Sequence, residues 1–253
     1  MIDIEKSISA TKQGFEDSFS CGEFYNKQTQ DKEHLNAILT FLPIKSNVKI
    51  LDLGTGSGYL SFAIAKQYPD VEIVGLDIVE KALEDNRKKA IKEKLHNLNF
   101  VTYDGIDFPF EDESFDMVLS RYALHHFPDI QMSISEVNRV LKKDGLFFIS
   151  DPTPNNNDSQ RFVDAYMQLK KDGHIKFYTL EEWKNICIKG GLELIDSFNS
   201  SIRFPKKKET AYGFDELLTK YSKEVIEGYK LNIVGNEIYV TEQVNNLLFK
   251  KYE

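Results

Sequence analysis

Three glycines at alternate positions, Gly54, Gly56 and Gly58, follow an apolar run, Val48 to Leu53, that carries one acid, Asp52. Helix formers from Leu60 to Lys66 come next. A strand, a glycine turn and a helix start form a binding site rather than a reacting one. The first helical amides lack internal partners and carry the positive end of the helix dipole. Glycines let ligand atoms approach the backbone where a Cβ would collide. Gly54, Thr55, Gly56 and Ser57 are therefore the expected cradle of a nucleoside-containing ligand, against an ordinary strand–helix turn with incidental glycines.

Two details select the ligand. A dinucleotide fingerprint, G-x-G-x-x-G, needs a third small residue for close helix–strand packing; here that position is Tyr59. Asp52 would repel a pyrophosphate but attract an ammonium group. An adenosine joined to a cationic amino acid satisfies both, which points to S-adenosylmethionine (SAM) as cofactor.

Other candidate binding groups lie downstream at strand ends. Val71 to Asp77 reads as a second buried strand whose terminal acid stands at about the interval from the glycines at which a carboxylate meets ribose hydroxyls. Ile78 follows it on the same wall. Asn99 to Tyr103 reads as a third strand, ending at Asp104-Gly105-Ile106. Asp104 either accepts from the adenine amine, with Ile106 or Phe108 on the ring face, or is a turn residue ahead of Gly105. A fourth strand, Ser114 to Leu119, runs into Ser120-Arg121-Tyr122-Ala123-Leu124-His125-His126. Ligands of open parallel sheets bind beyond the carboxyl ends of the strands, so this run faces the reacting end of the cofactor. His125 and His126 are the candidate catalytic bases or substrate-positioning groups. The alternative is that one packs structurally and the other caps the next helix.

The set ILDLGTGSG, GLDIV, VTYDG, FDMVLSRYALHHFPD and LKKDGLFFISD resembles the class I SAM-dependent methyltransferases, and within them the branch related to the ubiquinone/menaquinone-biosynthesis enzymes. The resemblance is good over residues 45–152 and weaker to about 200. It implies an α/β, Rossmann-like sheet of seven strands in the order 3-2-1-4-5-7-6, strand 7 antiparallel, with helices on both faces and a helical lid insertion. It also implies cofactor roles for Asp52, Gly54, Gly56, Asp77 and Asp104, and a contact of Ser120 and Arg121 with the methionine end. LKKDG replaces the quinone enzymes' Lys-Pro-Gly-Gly, and their N-terminal signature is missing, which argues against a quinone acceptor.

The elements that must position these groups are expected as follows. Residues 1–43 form an N-terminal helical arm, with Leu35, Ile38, Leu39 and Leu42 at helical spacing and Pro43 as its stop. The arm either brings Phe24 or Tyr25 to the pocket or packs on the core surface. Leu83, Ala90, Ile91 and Leu95 give the inner face of a helix. Leu146 to Ser150 is a fifth strand, Leu192 to Phe198 a sixth and Gln243 to Tyr252 a seventh. Residues 152–190 and 205–235 are the lid segments of one domain spanning 1–253. In the first, Thr179 and Glu182 make a capping box. Tyr25, His125, Phe162, Tyr166 and Tyr178 are expected around the acceptor, or else the lid aromatics seal a second layer of core. Phe214 to Tyr229 reads as a helix and Lys206-Lys207-Lys208 as a solvated run.

Composition bounds the function. The 253 residues are 41% apolar and 12% aromatic, enough for a sizeable core, and the formal charge of −8 opposes a polyanionic partner such as nucleic acid. Cys21 and Cys187 have no metal-ligand spacing, so no metal is expected. Met1 to Ala10 lacks the apolar core of a signal peptide, and no apolar run approaches a membrane span. The expectation is a cytoplasmic monomer or homodimer that methylates a small, partly apolar or aromatic acceptor by in-line displacement. A SAM-binding regulator or scaffold and an RNA or protein methyltransferase are the other readings.

Overall fold

The computed structural model describes residues 3–20, 31–170, 172–208 and 213–252. Helices α1 (Ile4–Ser20) and α2 (Lys32–Phe41) precede β1 (Lys49–Leu53), α3 (Tyr59–Gln67), β2 (Glu72–Asp77), α4 (Glu80–Glu93), β3 (Leu98–Thr102) and β4 (Phe115–Arg121). A short 3₁₀ turn, Leu124–His126, leads to α5 (Ile130–Val140) and β5 (Leu141–Thr153). Then come α6 (Phe162–Met167), α7 (Leu180–Lys189), β6 (Leu192–Lys207), α8 (Phe214–Thr219), α9 (Lys223–Gly228), β7 (Asn232–Val234) and β8 (Glu237–Lys251).

The strands form one sheet in the order β3-β2-β1-β4-β5-β8-β6, with β7 paired to β8. The first five are parallel, and β8 runs antiparallel between β5 and β6. The expected fold class holds, with β8 in the place of strand 7. The short β7 makes eight strands rather than seven.

Strand alternation explains the two-layer core. Ile50, Ile73, Met117, Leu119, Phe148 and Leu248 face α2, α3 and α4, where they meet Ile38, Leu60, Ile64 and Leu83. Their neighbours Leu51, Val74, Val118, Phe147, Ile149 and Phe249 face α5 and α7, where they meet Val137, Trp183 and Cys187. A strand covered on both faces is apolar at successive positions, which is why Ile50-Leu51 in β1 and Met117-Val118-Leu119 in β4 are consecutive hydrophobic residues. On α4 the inner face is Ala82, Leu83, Asn86 and Ala90. Ile91, expected on that face, is 79% exposed because it lies one residue round from Ala90.

The sequence expectation fails most clearly in the hairpin β6–β8. Both strands extend well past β5: pairing with β5 stops at Thr153↔Gln243, whereas β6 and β8 stay paired to Lys207↔Glu237. The expected Phe214 to Tyr229 helix is two short helices, α8 and α9, with Ser222 capping the second through the Val225 amide. Together with α6 they close a third apolar cluster that includes Phe162, Tyr166, Phe177, Phe214, Tyr229, Ile238 and Val240. Asp158 pins α6 to it. Its carboxylate accepts the amides of Phe162 and Val163 and the Tyr229 hydroxyl, at 2.7, 3.0 and 2.6 Å.

No helix of the described residues is long and apolar enough to cross a membrane. Because Tyr166 is 1% exposed and packs on Phe162 and Phe214, Tyr166→Ala should cost roughly 3–5 kcal/mol, as large aromatic truncations do. Urea unfolding measures it. A loss below about 1 kcal/mol would contradict the core assignment.

Candidate functional site

The chain returns from β3 to β4 across β2 and β1, so the sheet order reverses between β1 and β4. Beyond their carboxyl ends a cleft opens at this switch point. Its walls include the turn after β1, the end of β2, the segment after β4 and one face of α1.

The glycine turn is held by β2. The amides of Gly54 and Thr55 both donate to the Leu76 carbonyl, at 2.8 and 3.1 Å. Gly54, Gly56 and Gly58 have φ of 69°, 50° and 75°, a region costly for residues with a Cβ. A Cβ on Gly54 would also fall 2.4 Å from the Cβ of Ala123, so this glycine lets the segment after β4 close against the turn. Asp77 is the second clamp: its Oδ2 accepts the Gly56 amide at 2.8 Å and its Oδ1 the Val79 amide at 2.9 Å. Burial pushes the Asp77 carboxyl up to about 6, although both amides pull it back. Ser57 and Ile78 line the cleft beside it.

Asp52 is buried, and its Oδ2 accepts from the hydroxyls of Thr55 and Ser61, at 2.8 and 2.5 Å. Burial raises its pKa against those two bonds. The Thr55 hydroxyl is thus directed to Asp52. Ser120 is buried and donates to the Leu53 carbonyl at 2.9 Å, tying β4 to β1 behind the wall. Arg121 reaches the cleft. Its guanidinium lies over the rings of Tyr59, at 4.0 Å, and Tyr122, at 4.7 Å. Tyr59, which breaks the dinucleotide pattern, is therefore the platform of the cleft's arginine.

Tyr122 takes φ of 54° and its amide donates to the Ser150 carbonyl, a bend that sends the histidine pair across the cleft end. His125 Nδ1 lies 2.8 Å from Asp151 Oδ1, both residues buried. With Nδ1 engaged by the carboxylate, Nε2 is the nitrogen left for a ligand. Burial, reinforced by His174, holds the His125 pKa well below that of a free imidazole, while burial raises Asp151. The His126 ring stands edge-on to Phe15 at 5.0 Å. His174 is fixed by Asp164 at 3.0 Å, and its ring centroid lies 5.3 Å from that of His125.

The structure thus gathers Asp52, Gly54, Thr55, Gly56, Ser57, Asp77, Ile78, Gly105, Arg121, His125 and His126 around one cleft. Ser120 stands behind it. Asp104 is exposed and its carboxylate accepts the amides of Ile106 and Asp107 at 2.8 and 3.0 Å, the turn arrangement. Ile106 is not on the wall, and Phe108 is in the core against Tyr103. Phe162 and Tyr166 belong to the third cluster and Tyr178 to the main core beside Trp183, so none of the three lines the cleft. Their faces are already covered by the β6–β8 extension and α7. Tyr25 lies outside the described residues.

Several wall residues escaped the sequence reading. Ile8, Thr11 and Phe15 recur at helical spacing on α1 and cover the cleft. Met167, Asp172 and Lys206 line its far end, and Asp151 orients His125. Lys206, expected in solvent, is only 5% exposed because the strand continues through it and turns it inward, in phase with Ile202.

A methyltransferase-domain family model matches residues 44–210. In sequence the chain is 30% identical over 153 residues to the uncharacterized methyltransferase YcgJ of Bacillus subtilis, covering 60% of each chain. It is 32% identical over 118 residues to a demethylmenaquinone methyltransferase of Staphylococcus aureus, 46% of this chain and 48% of that one. The chain thus spans about half to three fifths of the length of these curated relatives. The solved YcgJ structure superposes with a TM-score of 0.75 at 24% identity, over 87% of this chain and 99% of that chain. A Haemonchus contortus phosphoethanolamine N-methyltransferase, solved with phosphomonomethylethanolamine and S-adenosylhomocysteine, superposes at 0.63 and 21% identity, over 88% and 53%.

The raised pKa of Asp77 sets a pH signature. A carboxyl at about 6 in the folded chain and 3.8 unfolded binds its proton more tightly when folded. Its ionised form therefore destabilises above pH 6, by about 3 kcal/mol at pH 7, and the penalty fades as pH falls through 6 towards 4. Asp77→Asn should relieve about 2 kcal/mol more at pH 7 than at pH 4, read by urea unfolding at both values. A difference independent of pH would refute the shift.

Proposed function

The chain belongs to the methyltransferase-domain family, and on that footing we propose that it moves the methyl group of SAM to a small acceptor held against His125. Asp77 suits the ribose, since a carboxylate with two amides bound keeps lone pairs for two hydroxyls. Ile8, Ile78, Val79 and Tyr103 supply apolar surface for the adenine, with Gly105 held in place by the Asp104 turn. Arg121, with its Nε buried and without a hydrogen-bond partner, suits the methionine carboxylate. Asp52 lies close by for the ammonium. Bound SAM supplies an electrophilic methyl on its sulfonium.

The observation that carries the reading is the buried His125–Asp151 pair at the end of a cleft that starts at the glycine turn. Asp151 fixes the imidazole tautomer and steadies the imidazolium that forms when His125 Nε2 takes a proton from an acceptor O–H or N–H. Held neutral by burial, His125 is in the proton-accepting form at neutral pH. Phe15, Phe127 and Met167 give the acceptor end an apolar lining that excludes water. The Haemonchus contortus enzyme, which shares this fold, holds S-adenosylhomocysteine together with phosphomonomethylethanolamine.

S-adenosylhomocysteine should raise the melting temperature and NAD should not, because only a ligand of the native state stabilises it. A shift with NAD alone would overturn the cofactor assignment. Asp77→Asn should weaken S-adenosylhomocysteine binding by about 1–3 kcal/mol in calorimetry. His125→Ala should keep that binding and lower kcat by ~100-fold or more. Unchanged kcat would remove His125 from the chemistry. Failure of every acceptor class to release S-adenosylhomocysteine would leave a binding protein.

A further inference from the structure

The far end of the cleft holds a lysine that the methyl-transfer reading leaves without a task. Lys206 comes from β6, 5% exposed, and lines the cleft with Met167 and Asp172. An ammonium carries three donors and needs acceptors when buried. The Nζ of Lys206 instead donates to the Met167 thioether and lies 4.8 Å from the Tyr166 ring centroid. A thioether is a weak acceptor. Among the described residues no carboxylate forms an ion pair with Nζ.

The carboxylates nearby are largely committed or neutralised. Asp172 is bound by Lys170 at 3.0 Å; burial would raise its pKa, but Lys170, His126 and Lys206 together hold it down at about 2. Asp151 is engaged by His125. Glu242, on β8, is buried, and its Oε2 has no hydrogen-bond partner. Burial pushes Glu242 up to about 7, opposed by Lys206, and pushes Lys206 down to about 8, opposed by Glu242 and Asp172. The Lys206 ammonium is the cation at this end of the cleft, and Glu242, the acid that most opposes its shift, forms no ion pair with it among the described residues. His125 feels that charge, since Lys206 is among the groups that depress its pKa. His126, Thr11 and Phe15 also line the cleft.

We propose that Lys206 is the anchor for a carboxylate on the acceptor, so that the acceptor is a small organic acid whose nucleophilic atom is presented to His125. This rests on the methyltransferase reading for the reaction but on Lys206 alone for the anion. The acid's oxygens would take the donors that the Met167 thioether now meets. The other reading of the same residues is an internal Lys206–Glu242 pair that only holds β6 to β8.

The experiment is calorimetric titration of the protein, saturated with S-adenosylhomocysteine, by butyrate, benzoate, phenylacetate and 4-hydroxybenzoate, each against its primary amide. At least one acid should bind about tenfold or more tighter than its amide, as a charge-assisted contact would give. Lys206→Met should abolish that preference, and Glu242→Gln should keep it. The double variant Lys206→Met with Glu242→Gln, which buries no lone charge, covers the case in which the single variant misfolds, and should also lose the preference. No acid favoured over its amide overturns the proposal, as does a preference that survives in the double variant. Loss of the preference in Glu242→Gln favours the internal pair and likewise overturns it. If S-adenosylhomocysteine fails to bind, the cofactor reading falls, and the same titrations without it still decide the role of Lys206.

Discussion

One carboxylate, Asp77, sets the shape of the site. It stands at the end of β2 yet bonds an amide of the turn that follows β1, so two parallel strands and the glycine turn are tied at one point. A peptide N–H turned into a cleft wall needs an acceptor, and a buried carboxylate needs donors; each supplies what the other lacks. The left-handed glycines follow from that constraint, because the turn must curl back to reach β2. The carboxylate stays partly uncompensated, which is why its pKa rises. A ligand with two hydroxyl donors would complete it.

The opposite end of the cleft follows the same physics with other partners. Here burial acts on histidines, a lysine and acids together, and the sign of each shift follows which form carries charge. His125 and His126 are driven towards neutrality, as is Glu242, while Asp172 is held ionised against burial by Lys170, with His126 and Lys206 adding to it. The cleft thus carries Asp52, Asp77 and Arg121 near the glycine turn and Lys206 at the far end.

The sequence made this half-legible for identifiable reasons. Strand periodicity and the glycine–acid spacing are local, so β1, β2, the turn and Asp77 could be read directly. The capping box of α7 is local too, and its reciprocal bonds between Thr179 and Glu182 are present. Asp104 illustrates the limit: an acid before a glycine is equally a ligand group or a turn residue, and its bonds to Ile106 and Asp107 are those of the turn. Lys206 shows a harder one. A run of three lysines looks solvated unless the strand is known to continue through it, and that depends on pairing with β8 some thirty residues later. Asp151 is visible only once β5 is laid beside β4. The lid aromatics misled because an amphipathic face announces burial without naming its partner.

The lid aromatics do not line the cleft, and α1 does. With Phe162 and Tyr166 locked in the third cluster, only Met167 of α6 reaches the wall. α1 lines the cleft through Ile8, Thr11 and Phe15. Two glycines allow that helix to sit so close. A Cβ on Gly105 would meet Ile8 at 3.0 Å, and one on Gly173 would fall 2.0 Å from the Thr11 hydroxyl. Both glycines have positive φ, 93° and 79°, so neither position readily accepts another residue. The contact is made by two side chains of one helix, Ile8 and Thr11, on two bends of the chain, whereas the cleft floor is built from strands paired on both sides. Among the described residues the cleft is therefore covered jointly by α1 and by the segment after β5, which supplies Met167 and the Gly173 bend.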